Sequence, residues 1–302
     1  MRRGTAAASA LLVFALTGAV GAQPISLLGV RSWAYWLSNI EARTVAGSDF
    51  DMAIIDYSSD GSQTKAFTKE EVERMERKPD GSRRIIIAYL SIGEAESYRY
   101  YWQPSWRSDS PPWLDRENPD WAENYKVRYW DPAWQAIIYG SPHAYLDRIL
   151  AAGFDGVMLD IVDGFEYYAD RRPQAPEEMR AFVEKISRYA KGRHPGFLIL
   201  PQNAESLLTA ARYREAVDGI VKEDLYYGMT RDGAKNSPVA TADSRAYLEL
   251  SLAAGKPVFT IDYVRRASQV AEVYEASRRD GFVPYASRRD LSSLTVNRGW
   301  DP

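Results

Sequence analysis

The feature that most constrains this chain is its alternation. Short runs rich in β-branched and aromatic residues alternate with helical patterns along nearly the whole length, the signature of repeated βα units and a parallel sheet. Eight such runs fall at 32–37, 52–57, 85–92, 156–161, 198–202, 220–225, 258–263 and 282–285. The boundaries between them carry their own signals. Thr68 and Glu71 have capping-box spacing before an amphipathic stretch, and the segment from Ala151 to Gly156 ends a helix and turns tightly into the fourth run. Ala253, Ala254, Gly255, Lys256 and Pro257 repeat that device before the seventh. A doubly wound sheet shows the same punctuation, but eight units in about 280 residues match the size of a single-domain (β/α)8 barrel, an α/β fold.

What precedes the first run reads as an export signal. Arg2 and Arg3 form a charged start, Ala10 to Ala15 is apolar, and Val20, Gly21 and Ala22 offer small residues for cleavage before Gln23. Residues 1–22 are therefore expected to be a cleavable signal peptide and 23–302 the barrel domain, secreted or periplasmic. The apolar stretch is short for a membrane anchor, and no later stretch suggests stable insertion.

Composition removes several classes of chemistry. There are no cysteines, which excludes disulfides, thiolate nucleophiles and cysteine-ligated metals. The two histidines, His143 in a helical pattern and His194 before Pro195, leave no multi-histidine metal site, and neither follows a nucleophile elbow. Basic and acidic residues are mixed, with a formal net charge of -3, so no basic stripe offers itself to nucleic acid. No cofactor, metal or protein partner is implied.

Barrel enzymes carry their chemistry at the C-terminal ends of the strands, and there this sequence is rich in carboxylates. The second run ends in Asp56 and Tyr57, the third leads to Glu94 and Glu96, the fourth ends at Asp160 with Asp163 beyond, and the fifth leads to Gln202, Asn203 and Glu205. The sixth holds Glu223 and Asp224, and the seventh Asp262 and Tyr263. Asp160 is the only charge among Val157, Met158, Leu159, Ile161 and Val162. Burying a lone carboxylate is costly, so it implies either catalysis or a structural partner on a neighbouring strand.

In the sixth run, side chains alternate faces, so either Glu223 or its neighbours Lys222 and Asp224 point into the barrel. The first choice sets two carboxylates, Asp160 and Glu223, in one space, as glycoside hydrolysis requires; the second makes Lys222 a candidate Schiff-base nucleophile. Tyr57, Tyr89, Tyr226, Tyr263 and Tyr285 all fall at strand ends, near Trp33, Tyr35 and Trp36 of the first run. Rings with hydroxyl handles suit sugars, and the glycine-rich turns of a barrel phosphate site are missing after the last two runs. The connection from Gly93 to about Pro132, with Trp102, Trp113 and Trp130, is long and aromatic. It reads either as the wall of a cleft or as a packed cover over a helix.

Several blocks in order carry a family resemblance: the segment 88–96 (AYLSIGEAE), Trp130 to Trp134, the segment 153–163 (GFDGVMLDIVD), Gln202 with Asn203, and Glu223 with Asp224 and Leu225. Together they resemble the endo-α-1,4-polygalactosaminidase-type glycoside hydrolases of family 114. The resemblance covers most of the chain and departs at Pro201, where a polar residue is more usual. It implies a (β/α)8 barrel acting on a polysaccharide of α-1,4-linked galactosamine or N-acetylgalactosamine. Asp160 would be the nucleophile and Glu223 the acid/base of a retaining mechanism, with carboxyl groups about 5 to 5.5 Å apart. Asp56, Tyr57, Tyr89, Glu94, Glu96, Asp163, Asn203, Tyr226, Asp262 and Tyr263 would contact the sugar. The same barrel without catalysis would be a polysaccharide-binding module.

Overall fold

The computed structural model describes residues 25–302; the expected signal peptide lies outside them. Strands β1 (Trp33–Trp36), β2 (Met52–Ile55), β3 (Ile85–Ser91), β4 (Glu94–Glu96), β5 (Leu114–Glu117), β6 (Asn124–Val127), β7 (Gly156–Asp160), β8 (Leu198–Pro201), β9 (Ile220–Glu223), β10 (Val258–Asp262) and β11 (Val283–Ala286) follow in chain order. All eight runs read from the sequence are strands. The three further strands, β4 to β6, lie in the long aromatic connection. Helices α1 (Ala42–Ala46), α2 (Lys69–Met75), α3 (Pro132–Ile138), α4 (Tyr145–Ala152), α5 (Glu166–Ala169), α6 (Ala175–Arg193), α7 (Ala211–Ala216), α8 (Pro238–Ala253) and α9 (Ala267–Arg279) fill the crossovers. None among the described residues is long and apolar enough to cross a membrane.

The eight parallel strands form a (β/α)8 barrel. β1-β2-β3-β7-β8 make one ladder and β9-β10-β11 another. The two are joined by a parallel bridge between Gln202 and Val221, reinforced by the Asn203 and Asp218 amides donating to Val221 O and Ile199 O at 2.8 Å each. On the other side, the Trp33 indole N–H donates to Val283 O at 3.0 Å, tying β1 to β11.

Alternation along the strands separates two apolar clusters. Met52 and Ile54, Ile85 and Ile87, Met158, Leu198 and Leu200, Val221, Phe259 and Ile261, and Tyr285 pack with Trp33 and Tyr35 inside the barrel. Their strand neighbours Ala53, Ile55, Ile86, Ala88, Val157, Leu159, Ile199, Ile220 and Val258 pack outward against the helices. The period-two rule thus separates lumen from shell along β2, β3 and β7 to β10.

The helix signals act as read. Thr68 Oγ1 accepts from the Glu71 amide at 3.2 Å while Glu71 Oε2 accepts from the Thr68 amide at 2.9 Å. Gly153 ends α4 in the left-handed region at φ 87°, where a side chain is strained. His143, read from the sequence as helical, lies in the turn before α4.

Gly156 opens β7 on the lumen side. A Cβ there would lie 2.4 Å from Leu198 O and 2.6 Å from Leu198 Cβ, so Gly156→Ala should destabilise the fold by at least about 1–3 kcal/mol. Gly192, in α6, has nothing within 4 Å of where a Cβ would stand. Gly192→Ala should be neutral or stabilising by up to about 1 kcal/mol. Urea unfolding of both variants checks the contrast, and equal midpoints would contradict the packing described.

Candidate active site

Above the apolar plug, the lumen-facing positions turn polar. On β2 the series Met52, Ile54 continues to Asp56; on β7 Met158 leads to Asp160; on β8 Leu200 leads to Gln202; on β9 Val221 leads to Glu223. Glu223 therefore faces the barrel interior. Lys222 takes the opposite face, where its Nζ lies 3.2 Å from Glu205 Oε1. The sequence left these two orientations open, and the parity of β9 separates them.

Asp160 and Glu223 line one cleft of about 650 Å³, together with Tyr35, Asp56, Tyr89, Glu94, Glu96, Asp163, Asn203 and Tyr263. This volume lies in the range of small-molecule sites. Three tyrosine hydroxyls organise its floor. Tyr89 donates to Asp160 Oδ2 at 2.7 Å, Tyr263 donates to Glu223 Oε1, and Tyr35 donates to Gln202 Oε1 at 3.2 Å. Asn203 holds Glu223 from the other side: its Nδ2 donates to Glu223 Oε2 at 3.2 Å and its Oδ1 accepts from the Glu223 amide at 3.0 Å.

The backbone pays a conformational cost at this rim. Ile161, Asn203, Ala204 and Asp224 have φ between 52° and 54°, and each follows the end of β7, β8 or β9. Left-handed conformations cost non-glycine residues roughly 1–2 kcal/mol each and cluster where function dictates direction.

A buried charge cluster forms one wall. Arg99 grips Asp56 through two bonds, Nη1 to Oδ1 at 2.9 Å and Nη2 to Oδ2 at 2.6 Å, and its Nε donates to Glu96 Oε2 at 2.6 Å. Tyr98 donates to Glu96 Oε1 at 2.6 Å. Glu94 is held by Asn118 at 2.9 Å and Lys126 at 3.3 Å. These three carboxylates reach the cleft, but much of their hydrogen-bonding capacity is already used. Arg99 and Arg289 were absent from the expected site, while Tyr35 and Gln202 were noted at the strand ends without a role. Arg289 comes from beyond β11, pairs with Asp224 at 2.8 Å and lies over the Tyr263 ring at 4.1 Å.

Three expected sugar contacts are corrected. Tyr57 and Asp262 fall on the outward parity of their strands, and Tyr226 packs in the shell with Tyr57. Asp262 Oδ1 accepts the Tyr226 and Tyr227 amides at 2.8 Å each, and the Tyr226 hydroxyl donates to Asp280 at 2.9 Å. Asp262 thus anchors the turn after β9. Burial raises its carboxyl to about 7.

The long connection does both things the sequence offered. Trp102, Trp106 and Trp113 pack in series onto Trp134 of α3, the first two contacts edge-to-face and the last tilted, with ring centroids 5.3, 5.0 and 5.1 Å apart. Meanwhile Tyr98, Trp121, Glu123 and Asn124 wall the cleft. The antiparallel β4-β6-β5 sheet makes this possible, pairing Glu94 with Lys126 and Glu96 with Asn124.

Electrostatics within the cleft are those of like charges kept from water. Burial pushes the Asp160 carboxyl well above the usual carboxylate range, and Glu223 pushes it further. Asp163 is raised to about 7 by burial, then by Glu166 and Glu223. Among the described residues no group of three or more metal-binding side chains converges.

The sequence profile of glycoside-hydrolase family GH114 matches residues 18–300. The chain belongs to glycoside-hydrolase family GH114. Membership supports a glycoside hydrolase. Similar relatives include an uncharacterised protein of Deinococcus radiodurans, 39% identical over 274 residues, covering 89% of this chain and 82% of its own. Another, from Thermotoga maritima, is 35% identical over 282 residues, covering 88% and 83%. In fold, this GH114 chain is similar to the glycoside hydrolase domain of PelA from Pseudomonas aeruginosa, with TM-score 0.69 and 18% identity over 89% of this chain and 99% of that one. It is also similar to Ega3 of Aspergillus fumigatus, solved in complex with galactosamine, with TM-score 0.63 and 18% identity over 91% and 97%.

Two predictions follow from the charges. Arg99→Met leaves Asp56 and Glu96 buried without their cation and should cost about 3–5 kcal/mol in chemical denaturation. Asp160 should titrate above the ordinary Asp value of about 4. Because Glu223 is one cause of the rise, Glu223→Gln should lower that titration, read by carboxyl ¹³C NMR; an unchanged midpoint would contradict the coupling.

Proposed function

We propose that this chain is an endo-acting hydrolase that cleaves α-1,4-linked galactosamine or N-acetylgalactosamine polymers with retention at the anomeric carbon. The observation that carries the reading is the convergence of Asp160 and Glu223 in one cleft, each bonded by its own tyrosine hydroxyl. Family membership supports the reaction class. The galactosamine held by Ega3 supports the sugar.

In the first step an Asp160 carboxylate oxygen attacks the anomeric carbon, and the electrons of the breaking C–O bond stay on the glycosidic oxygen, which takes a proton from Glu223. In the second, Glu223 removes a proton from water, the water oxygen attacks the same carbon, and the bond to Asp160 breaks. The enzyme returns with its charges restored, and the stereochemistry is inverted twice.

Burial favours the protonated form of Asp160 in the free cleft, whereas attack needs the carboxylate. A cationic sugar resolves the conflict. An ammonium group near Asp160 favours its ionised form. Asp56 and Glu96 share the single cation Arg99, and Asp163 adds a further carboxyl group to the cleft. Partly deacetylated polymer is therefore the better substrate in this reading. Export directed by residues 1–22 would bring the enzyme to such a polymer outside the cell.

Reducing-end release from partly deacetylated α-1,4-galactosaminan tests the assignment. Glu223→Gln should lose about 10²–10⁴-fold in rate, and Asp160→Asn at least as much. The first product seen by NMR should carry the α configuration. Wild-type protein that binds the polymer without cutting it would make the barrel a binding module; an initial β product would overturn the retaining mechanism.

A further inference from the structure

Beside the cleft lies a second cavity of about 410 Å³, between the strand ends of β7, β8 and β9 and the flank of α8. It shares Asp163, Asn203 and Glu223 with the first cleft, but Asp160 lines only the first. We propose that this second cavity receives the departing, reducing-end hexosamine unit of the polymer.

The argument rests on the reading of Asp160 as nucleophile and Glu223 as acid/base, and then on geometry. Asp160 must touch the anomeric carbon of the sugar that stays, so that sugar occupies the cavity Asp160 lines. Glu223 must touch the oxygen linking it to the sugar that leaves. A residue bordering both cavities is placed to do this, and Glu223 borders both. The bond to be cut then spans the junction at Glu223 and Asn203.

The second cavity also has the lining a sugar unit needs. Its rim carries Tyr247, 38% exposed, and Met229, 50% exposed. At the first cleft Tyr98 and Trp121 are likewise exposed, by 42% and 52%. Large apolar side chains left in water thus border both cavities, where pyranose faces could cover them. Polar groups beneath are of both signs: Lys222 paired with Glu205 at 3.2 Å, and Glu166, whose carboxyl is raised by burial and then by Glu205. Hydroxyl and ammonium donors of a hexosamine match these carboxylates, and Lys222 offers a donor to ring or hydroxyl oxygens.

The discriminating experiment compares two substrates of one glycone. The first is a defined α-1,4-galactosamine oligomer, whose leaving group is a sugar; the second is the corresponding α-glycosyl fluoride, whose leaving group is too small to fill the cavity and departs with little need for a proton. Tyr247→Ala should lower kcat/KM on the oligomer about tenfold, the scale of one lost aromatic contact, and that on the fluoride less than twofold. Asp243→Asn, which lines the same cavity one turn before Tyr247 on α8, gives an independent variant that should shift the same ratio. Loss of both activities together, or of neither, in the two variants would overturn the cavity's assignment. Glu223→Gln is run beside them: if it cuts the oligomer at the wild-type rate, the acid/base reading itself fails, an outcome distinct from failure of the cavity.

Discussion

A strand residue faces one side of a barrel or the other, and the chemistry of this protein hangs on that choice in β9. Val221 belongs to the lumen cluster, so Glu223 does too and Lys222 does not. One residue of slippage would exchange them, putting an amine where the carboxylate now stands. The register is held at one of the two junctions between the ladders, that of β8 with β9. There the Gln202–Val221 bridge and the Asn203 amide align β8 with β9, and the Asn203 side chain clasps Glu223 from the same junction. The contact that joins the ladders is thus continuous with the contact that orients the acid.

The tyrosines divide by the same parity. Tyr35, Tyr89 and Tyr263 stand in or above the lumen and direct hydroxyls at Gln202, Asp160 and Glu223. They are ordered donors before they are surfaces for sugar. Burying Asp160 beside Glu223 is unfavourable, and a neutral hydroxyl can donate to a carboxylate without adding a charge. A positively charged partner in the same place would work against the raised proton affinity that burial and Glu223 give Asp160. Arg99, the buried cation of the cleft, is instead committed to Asp56 and Glu96.

Much of this was legible in the sequence because it is local. The strands announce themselves by composition and spacing, the capping box at Thr68 by two residues, and Asp160 by its solitude in an apolar run. Asp262 looked equivalent to Asp160 at the end of its own strand, yet it lies on the opposite face. The sequence marks a strand end more clearly than the parity with which it arrives there. Arg99 and Arg289 gave no signal, since each acquires its role by long-range closure, Arg99 reaching Asp56 across 43 positions and Arg289 reaching Asp224 across 65. The β4-β6-β5 sheet was hidden for a related reason: its strands are three or four residues long and partly polar, too short to declare a period.

The strained residues connect these levels. Ile161 follows Asp160, Asn203 follows Gln202, and Asp224 follows Glu223, each in the left-handed region. A chain leaving a parallel strand for its crossover helix must turn away from the lumen, and turning at once leaves the last inward side chain exposed to the cleft instead of covered by the next residue. Regular extension through these positions would relieve the strain but carry the chain across the mouth. Asp224 also meets Arg289 at 2.8 Å, which gives the strained turn after Glu223 an ion pair to hold it. The apolar plug below the cleft makes the barrel stable; the abrupt turns above it keep Asp160, Gln202 and Glu223 open to a substrate.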